Sequence, residues 1–174
     1  MKMQFTYNIF LIGFMGSGKS TVADYLCEKF DMDVVEMDQV IAERERMSIS
    51  DIFEKHGELY FRDLETKLLV ELQEKTNTVV SCGGGVAMRE CNVTEMKKNG
   101  KVVLLIAKPE TILERVENNH DRPLLENNKT VAYIAELMEK RREKYEAAAD
   151  MIIETDGKSA QKICEEMIQR LGEQ

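Results

Sequence analysis

The run Gly13-Phe14-Met15-Gly16-Ser17-Gly18-Lys19-Ser20 constrains this chain more than any other stretch. It fits the pattern GxxxxGK[ST]. It also lies between a short β-branched run, Asn8 to Ile12, and a helical repeat of apolar residues at Val22, Ala23, Leu26 and Phe30. Strand, glycine loop and helix in that order is the setting in which the pattern holds a nucleoside triphosphate. Glycines let backbone N–H groups converge on a phosphate with no Cβ in the way, and the helix start adds the positive end of its dipole. Gly16, Ser17 and Gly18 form the cradle. Lys19 is placed to reach the β- and γ-phosphates, Ser20 to give Mg²⁺ a hydroxyl ligand, and Thr21 to serve the α-phosphate or simply to pack. A glycine-rich turn that binds nothing is the plain alternative, and the flanking strand and helix weigh against it. By itself the motif does not separate GTPases, motor ATPases and small kinases.

The rest of the chain repeats the alternation of strand and helix. Strand-like runs recur at Val34-Val35, Thr78 to Cys82, Lys101 to Ala107 and Met151 to Glu154, each followed by helix-compatible sequence. Five strands with helices between them predict an α/β fold, with a parallel sheet covered on both faces. Pro109 suits the first turn of a helix through Ile112, Leu113 and Val116. Periodicity then lapses from about Asn118 to Lys129, which reads as an exposed loop able to close over a site, and a polar helix follows from about Thr130 to Ala149. Without a repeat or a low-complexity linker, residues 1–174 are expected to form one domain.

Charge and composition exclude several classes. A net charge of -8 argues against general nucleic-acid binding, which needs a basic stripe for phosphates. Cys27, Cys82, Cys91 and Cys164 lack metal-site spacing and read as reduced thiols, which predicts a cytoplasmic protein. No signal-peptide pattern opens the chain, and no apolar run approaches the roughly 18 residues of a membrane helix. The GTPase reading weakens on Asn128-Lys129-Thr130-Val131, which lacks the aspartate of a guanine-reading segment and follows no strand. The third strand ends in Gly83-Gly84-Gly85 where a large ATPase would carry a metal-binding acid. Three glycines at the carboxyl end of a strand admit a ligand closely to the backbone, or else form a simple turn.

Several landmarks then stand in one order: the phosphate loop, Glu36-Met37-Asp38, Gly57-Glu58 with Phe61-Arg62 and Glu65, the triple glycine, Arg122-Pro123-Leu124-Leu125, and Arg141 four residues before Tyr145. In that order they resemble the shikimate kinase family over nearly the whole chain. The resemblance implies a three-layer phosphate-loop kinase fold with strand order 2-3-1-4-5, a substrate-binding helical region at about 37–65 and a lid at about 116–128. It implies ATP and Mg²⁺ with shikimate as acceptor; nothing in the sequence demands more than a monomer, and charge and hydropathy predict no nucleic-acid or membrane partner. Arg62 and Arg141 correspond to the clamp on the substrate carboxylate, a task suited to guanidinium, which pairs bidentately and stays charged. Gly83, Gly84 and Gly85 line the acceptor site. Asp38 corresponds to the aspartate that holds the substrate hydroxyls and takes the proton of the attacking one. Arg122 corresponds to the lid cation over the transferring phosphate, and Arg115 to a residue against the adenine ring. The loop Thr155 to Lys158 falls where the family wraps the other side of the base.

Some of these residues have blander readings. Arg62 alone is an ion-pairing residue beside Glu58 and Glu65 on one helix face. Asp38 alone is a candidate helix N-cap. Arg141 sits in a run with Lys140, Arg142 and Lys144 that is commonly a solvated face. Phe53 and Phe61 fit either the core or an apolar pocket wall. The sequence also departs from the family at three places. Glu36 stands where aspartate is usual, which leaves direct or water-mediated contact with Mg²⁺ open. Ala42 replaces a common glutamate, and Glu143 replaces a common proline, which predicts an unbroken helix there.

Overall fold

The computed structural model describes residues 4–117 and 130–172. In chain order its elements are β1 Asn8–Ile12, α1 Lys19–Phe30, β2 Asp33–Glu36, α2 Met37–Glu45, α3 Ile49–His56, α4 Glu58–Glu71, β3 Thr78–Ser81, α5 Glu90–Lys98, β4 Gly100–Ile106, α6 Pro109–Val116, α7 Val131–Ala148, β5 Met151–Glu154 and α8 Ala160–Gly172. The expected strands therefore form, with ends shifted by a residue or two.

All pairings are parallel and the order is β2-β3-β1-β4-β5. β1 is central and buried along its whole length, which is why Asn-Ile-Phe-Leu-Ile is an apolar run with no alternation. Ile9 and Leu11 face a layer made with Val22 and Leu26 of α1 and Ile163 and Met167 of α8. Phe10 and Ile12 face the other layer, with Leu68 and Leu69 of α4, Met96 of α5 and Tyr145 of α7. Buried Asn8 locks the lower end of the sheet: its amide donates to Lys75 O at 3.0 Å and its Oδ1 accepts from Thr78 N at 3.2 Å. The register sets Leu11 beside Ser81 and Ile12 beside Leu104. The loops after β1, β2 and β3 consequently leave the sheet at one edge, the crevice where open α/β sheets bind ligands.

Between β2 and β3 the chain makes three helices. Ser48 caps α3 by accepting from Asp51 N at 3.1 Å, and Gly57 joins α3 to α4 at φ 88°. Asp38 is not an N-cap: α2 begins one residue earlier, Glu36 holds the cap position, and Asp38 lies inside the first turn. Pro109 opens α6 as expected. Thr130 caps α7 through Tyr133 N, and the helix runs unbroken past Glu143. Arg122 and the expected lid beyond Glu117 lie outside the described residues.

Candidate active site

The phosphate loop wraps the start of α1. Gly13, Gly16 and Gly18 have φ of 146°, 80° and 101°, values that only glycine adopts without strain. Lys19 donates from Nζ to Gly13 O at 2.8 Å and Phe14 O at 3.1 Å, so its ammonium sits at the mouth of its own loop. Ser20 Oγ donates to Glu36 Oε2 at 3.1 Å. Burial raises the Glu36 pKa, opposed by the hydrogen bonds from Ser20 and Ser81. A hydroxyl and a carboxylate facing one cleft are the hard oxygen donors Mg²⁺ accepts, with phosphate oxygens and waters left to complete an octahedron. Among the described residues no group of three or more His, Cys, Asp or Glu forms a metal cage. Exposed Thr21 follows them on α1.

Arg115 reaches the phosphate loop from α6, donating to Gly16 O at 3.0 Å and to Thr155 Oγ1 at 3.5 Å. Asp156 ties the same neighbourhood together, accepting from Thr111 Oγ1 at 2.5 Å and Lys108 N at 3.1 Å. The Thr111 hydrogen bond holds its pKa low. Arg115 and the Thr155 to Lys158 loop thus meet at one rim of the loop.

A second group of charged side chains gathers around the triple glycine. One cleft of about 710 Å³, counted with the solvent at its mouth, is lined by Lys19, Ser20, Glu36, Asp38, Arg62, Gly83, Gly84, Gly85 and Arg141. Residues as far apart in sequence as Lys19 and Arg141 therefore share one cleft. A Cβ on Gly83 would lie 2.6 Å from Glu65 Oε2 and 2.9 Å from Asp38 Oδ1. One on Gly84 would lie 3.2 Å from Arg141 Nη1, and one on Gly85 would fall on the Arg62 guanidinium. The glycines are the clearance that lets four charged side chains converge.

Arg62 is both an ion-pair partner and a cleft residue. It donates to Glu65 Oε1 at 2.8 Å and Glu58 Oε1 at 3.1 Å, and its guanidinium lies 5.3 Å from the Phe61 ring centroid and 5.8 Å from that of Phe53. Burial works against its charge, but the two carboxylates outweigh that and raise its pKa. Glu65 is fully buried, and burial pushes its carboxyl up to about 7 against the pull of Arg62. Its second oxygen, Oε2, has no hydrogen-bond partner among the described residues and lies beside Gly83 in the cleft. Phe53 and Phe61, 5.1 Å apart, line the cleft and also pack on the core, so both readings hold.

Arg141 turns into the cleft, whereas Arg142 pairs with Glu139 at 2.9 Å on the outer face of α7. Arg141 lies 5.8 Å from the Phe14 ring centroid and donates to Tyr145 OH at 3.5 Å. Tyr145 in turn donates to Gly84 O, and Lys144 donates to Met88 O at 3.2 Å. These two bonds fasten α7 to the glycine turn and escaped sequence reasoning, because nothing in the spacing of Gly84 and Tyr145 reports their contact. Ser81, Met15 and Ile49 also line the cleft unforeseen. Ser81 carried a signal, being a polar residue at the end of an otherwise apolar strand. Cys82 is buried beside them, its pKa raised by burial, which makes it a packing residue and no nucleophile. His56 stacks on Tyr60 away from the cleft.

Comparison with known proteins bears on this geometry. The sequence profile of the family described as Shikimate kinase matches residues 15–172. A shikimate kinase of Persephonella marina is 45% identical over 164 residues, covering 94% of this chain and 98% of the relative. One from Sulfurihydrogenibium sp. is 44% identical, covering 94% and 97%. The solved shikimate kinase of Acinetobacter baumannii in complex with shikimate superposes with a TM-score of 0.90 at 33% identity, covering 95% of this chain and 92% of that one.

Proposed function

Since the chain belongs to the shikimate kinase family, an ATP-dependent kinase acting on shikimate, we propose that its cleft transfers the γ-phosphoryl group of ATP to the 3-hydroxyl of shikimate, with Asp38 accepting the proton of that hydroxyl. The single observation that carries the reading is the convergence of Lys19, Asp38, Arg62, the triple glycine and Arg141 on one cleft. A nucleotide acceptor would need further cations for its own phosphate. A hydroxylated carboxylate needs what is here: two guanidinium groups, a carboxylate and bare backbone.

In this reading Arg62 and Arg141 hold the substrate carboxylate and so fix the ring's orientation. Glu65 holds Arg62. The backbone of Gly83, Gly84 and Gly85 lies against the ring. Asp38 receives the hydroxyl and orients its oxygen toward the γ-phosphorus, the main contribution of a base in phosphoryl transfer. On the donor side the loop amides of Gly16, Ser17 and Gly18 hold the phosphates, and Lys19 leaves the carbonyls of Gly13 and Phe14 to follow the γ-phosphate. Thr21 serves the α-phosphate. Mg²⁺ would be held by Ser20, with Glu36 reaching it directly or through water, and when bound it neutralises charge on the β- and γ-oxygens. Arg115 lies against adenine, and Arg122 is assigned on the family resemblance to the cation that covers the transferring group. The working unit is proposed as one domain and one monomer, since the residues assigned here come from a single chain. Four free cysteines, two of them exposed, support a reducing compartment such as the cytoplasm. Among the described residues no helix is long and apolar enough to cross a membrane.

A coupled ADP-release assay with shikimate, gluconate and nucleoside monophosphates as acceptors tests the assignment. Turnover is expected with shikimate; turnover with another acceptor and none with shikimate would overturn it.

A further inference from the structure

Behind the phosphate loop lies a second cavity, of about 900 Å³ counted with the solvent at its mouth, whose walls include Phe14, Ser17, Leu104, Met138 and Tyr145. None of these residues lines the catalytic cleft. Its size suits a small-molecule site and its lining is mostly apolar, as such sites are. Two features distinguish it from a mere packing gap. Ser17 is 1% exposed and its Oγ has no hydrogen-bond partner among the described residues, so a buried polar group on this wall is unsatisfied. And Phe14 and Tyr145, which form part of the wall, are the two residues that seat Arg141: its guanidinium lies 5.8 Å from the Phe14 ring and 3.5 Å from the Tyr145 hydroxyl.

The lining defines the occupant's chemistry. Two aromatic rings favour offset or edge contacts with a third ring, and the Met138 thioether adapts to such a body. Ser17 needs one hydrogen-bonding group, and a hydroxyl can both donate and accept. The charged residue that could attract an anion here, Arg142, is already engaged, lying 2.9 Å from Glu139 and 4.0 Å from Glu146, so the lining favours a neutral occupant.

We propose that this cavity is a second binding site, taking a neutral aromatic alcohol of one or two rings, and that its occupancy is coupled to acceptor affinity through Phe14, Tyr145 and Arg141. The coupling half rests on Arg141 holding the shikimate carboxylate; the binding half does not. Coupling between two sites is reciprocal, so the factor by which the occupant changes shikimate affinity equals the factor by which shikimate changes the occupant's.

The experiment titrates 4-ethylphenol into the full chain by calorimetry, with ethylbenzene as the probe lacking a hydroxyl. Saturable one-to-one binding of 4-ethylphenol is expected, with ethylbenzene weaker by roughly tenfold because it leaves Ser17 unsatisfied. Ala135 also lines the cavity and takes no part in the proposed catalysis. Ala135→Phe, and Ala135→Leu as the milder filling, should weaken the phenol by at least about tenfold while kcat stays at the wild-type value. Absence of saturable binding to the wild-type chain, or undiminished binding to both folded variants, overturns the site. Repeating the titration at rising shikimate should give a change that levels off and equals the phenol's effect on shikimate affinity. A phenol affinity that falls without limit would place the probe in the cleft and overturn the proposal, and an unchanged affinity would overturn the coupling. If shikimate fails as a substrate in the ADP-release assay, the proposed function falls while the phenol titration and the Ala135 variants still decide the cavity.

Discussion

Two glycine-rich turns leave neighbouring strands at the same edge of the sheet, and they need glycine for different reasons. After β1, the backbone itself is unusual: Gly13, Gly16 and Gly18 all have positive φ, and a Cβ at Gly13 would collide with the carbonyl of Leu105. After β3, none of Gly83, Gly84 and Gly85 has a positive φ, and the obstacles to a Cβ are chiefly side-chain groups of Glu65, Asp38, Arg62 and Arg141. The first turn is glycine because of what the chain must do. The second is glycine because of what its neighbours must do. A donor site made of backbone tolerates little change in shape, whereas an acceptor site made of converging side chains tolerates little added volume.

The largest expected effect tests whether the two sides are separable. Asp38→Asn should lower kcat by about 10²- to 10⁴-fold in the ADP-release assay, the usual range for a lost general base, with ATP affinity by titration unchanged. A parallel loss of ATP affinity would break the division. Next, Gly85→Ala, whose Cβ falls on the Arg62 guanidinium, should raise the shikimate KM by about 10- to 100-fold and leave that of ATP alone, reflecting a displaced clamp worth some 1.4–2.7 kcal/mol. Gly16→Ala should do the reverse. At φ 80° with Val116 Cγ1 only 2.8 Å from the new Cβ, it should raise the ATP KM by about tenfold through backbone strain of order 1–3 kcal/mol, with the shikimate KM unmoved. Exchanged phenotypes between the two glycine variants would refute the comparison outright.

The smallest effect concerns the buried carboxyl of the acceptor side. Glu65 has its pKa raised to about 7 from 4.5, so between those values the folded state binds a proton that the unfolded state has lost. Stability should therefore fall as pH rises through that window, and Glu65→Gln should flatten the slope. Urea unfolding at pH 5 and pH 8 measures it; an identical slope in the variant would assign the pH dependence to other groups.

Legibility in the sequence follows the same division. The phosphate loop was readable because its requirement is local: fixed glycine spacing between an apolar strand and an amphipathic helix. The inner strands were readable because burial on both faces writes itself as unbroken apolar runs such as Val79-Val80 and Val102 to Leu105. The proposed acceptor site was nominated only through the resemblance, since Asp38, Arg62 and Arg141 each read as ordinary surface residues until the fold sets them around Gly83 to Gly85. Asp38 as a cap was the wrong alternative by two residues of helix start. The Tyr145 to Gly84 bond and the half-buried bridge from Thr66 to Asn92 at 2.7 Å left no trace in spacing, because each joins partners set by packing.

The central place of β1 has a consequence for how the molecule comes to exist. Its Asn8 meets Thr78, 70 positions later, and its other edge waits for β4. Such distant parallel pairings are slow to close, so the most apolar strand emerges first from synthesis and is sheltered last. Because the turn at Gly13 packs against Leu105 O, the phosphate cradle cannot be finished before β4 is in register. Nucleotide can thus stabilise the finished fold but cannot template it, and nascent chains ending before Ile106 should capture no ATP.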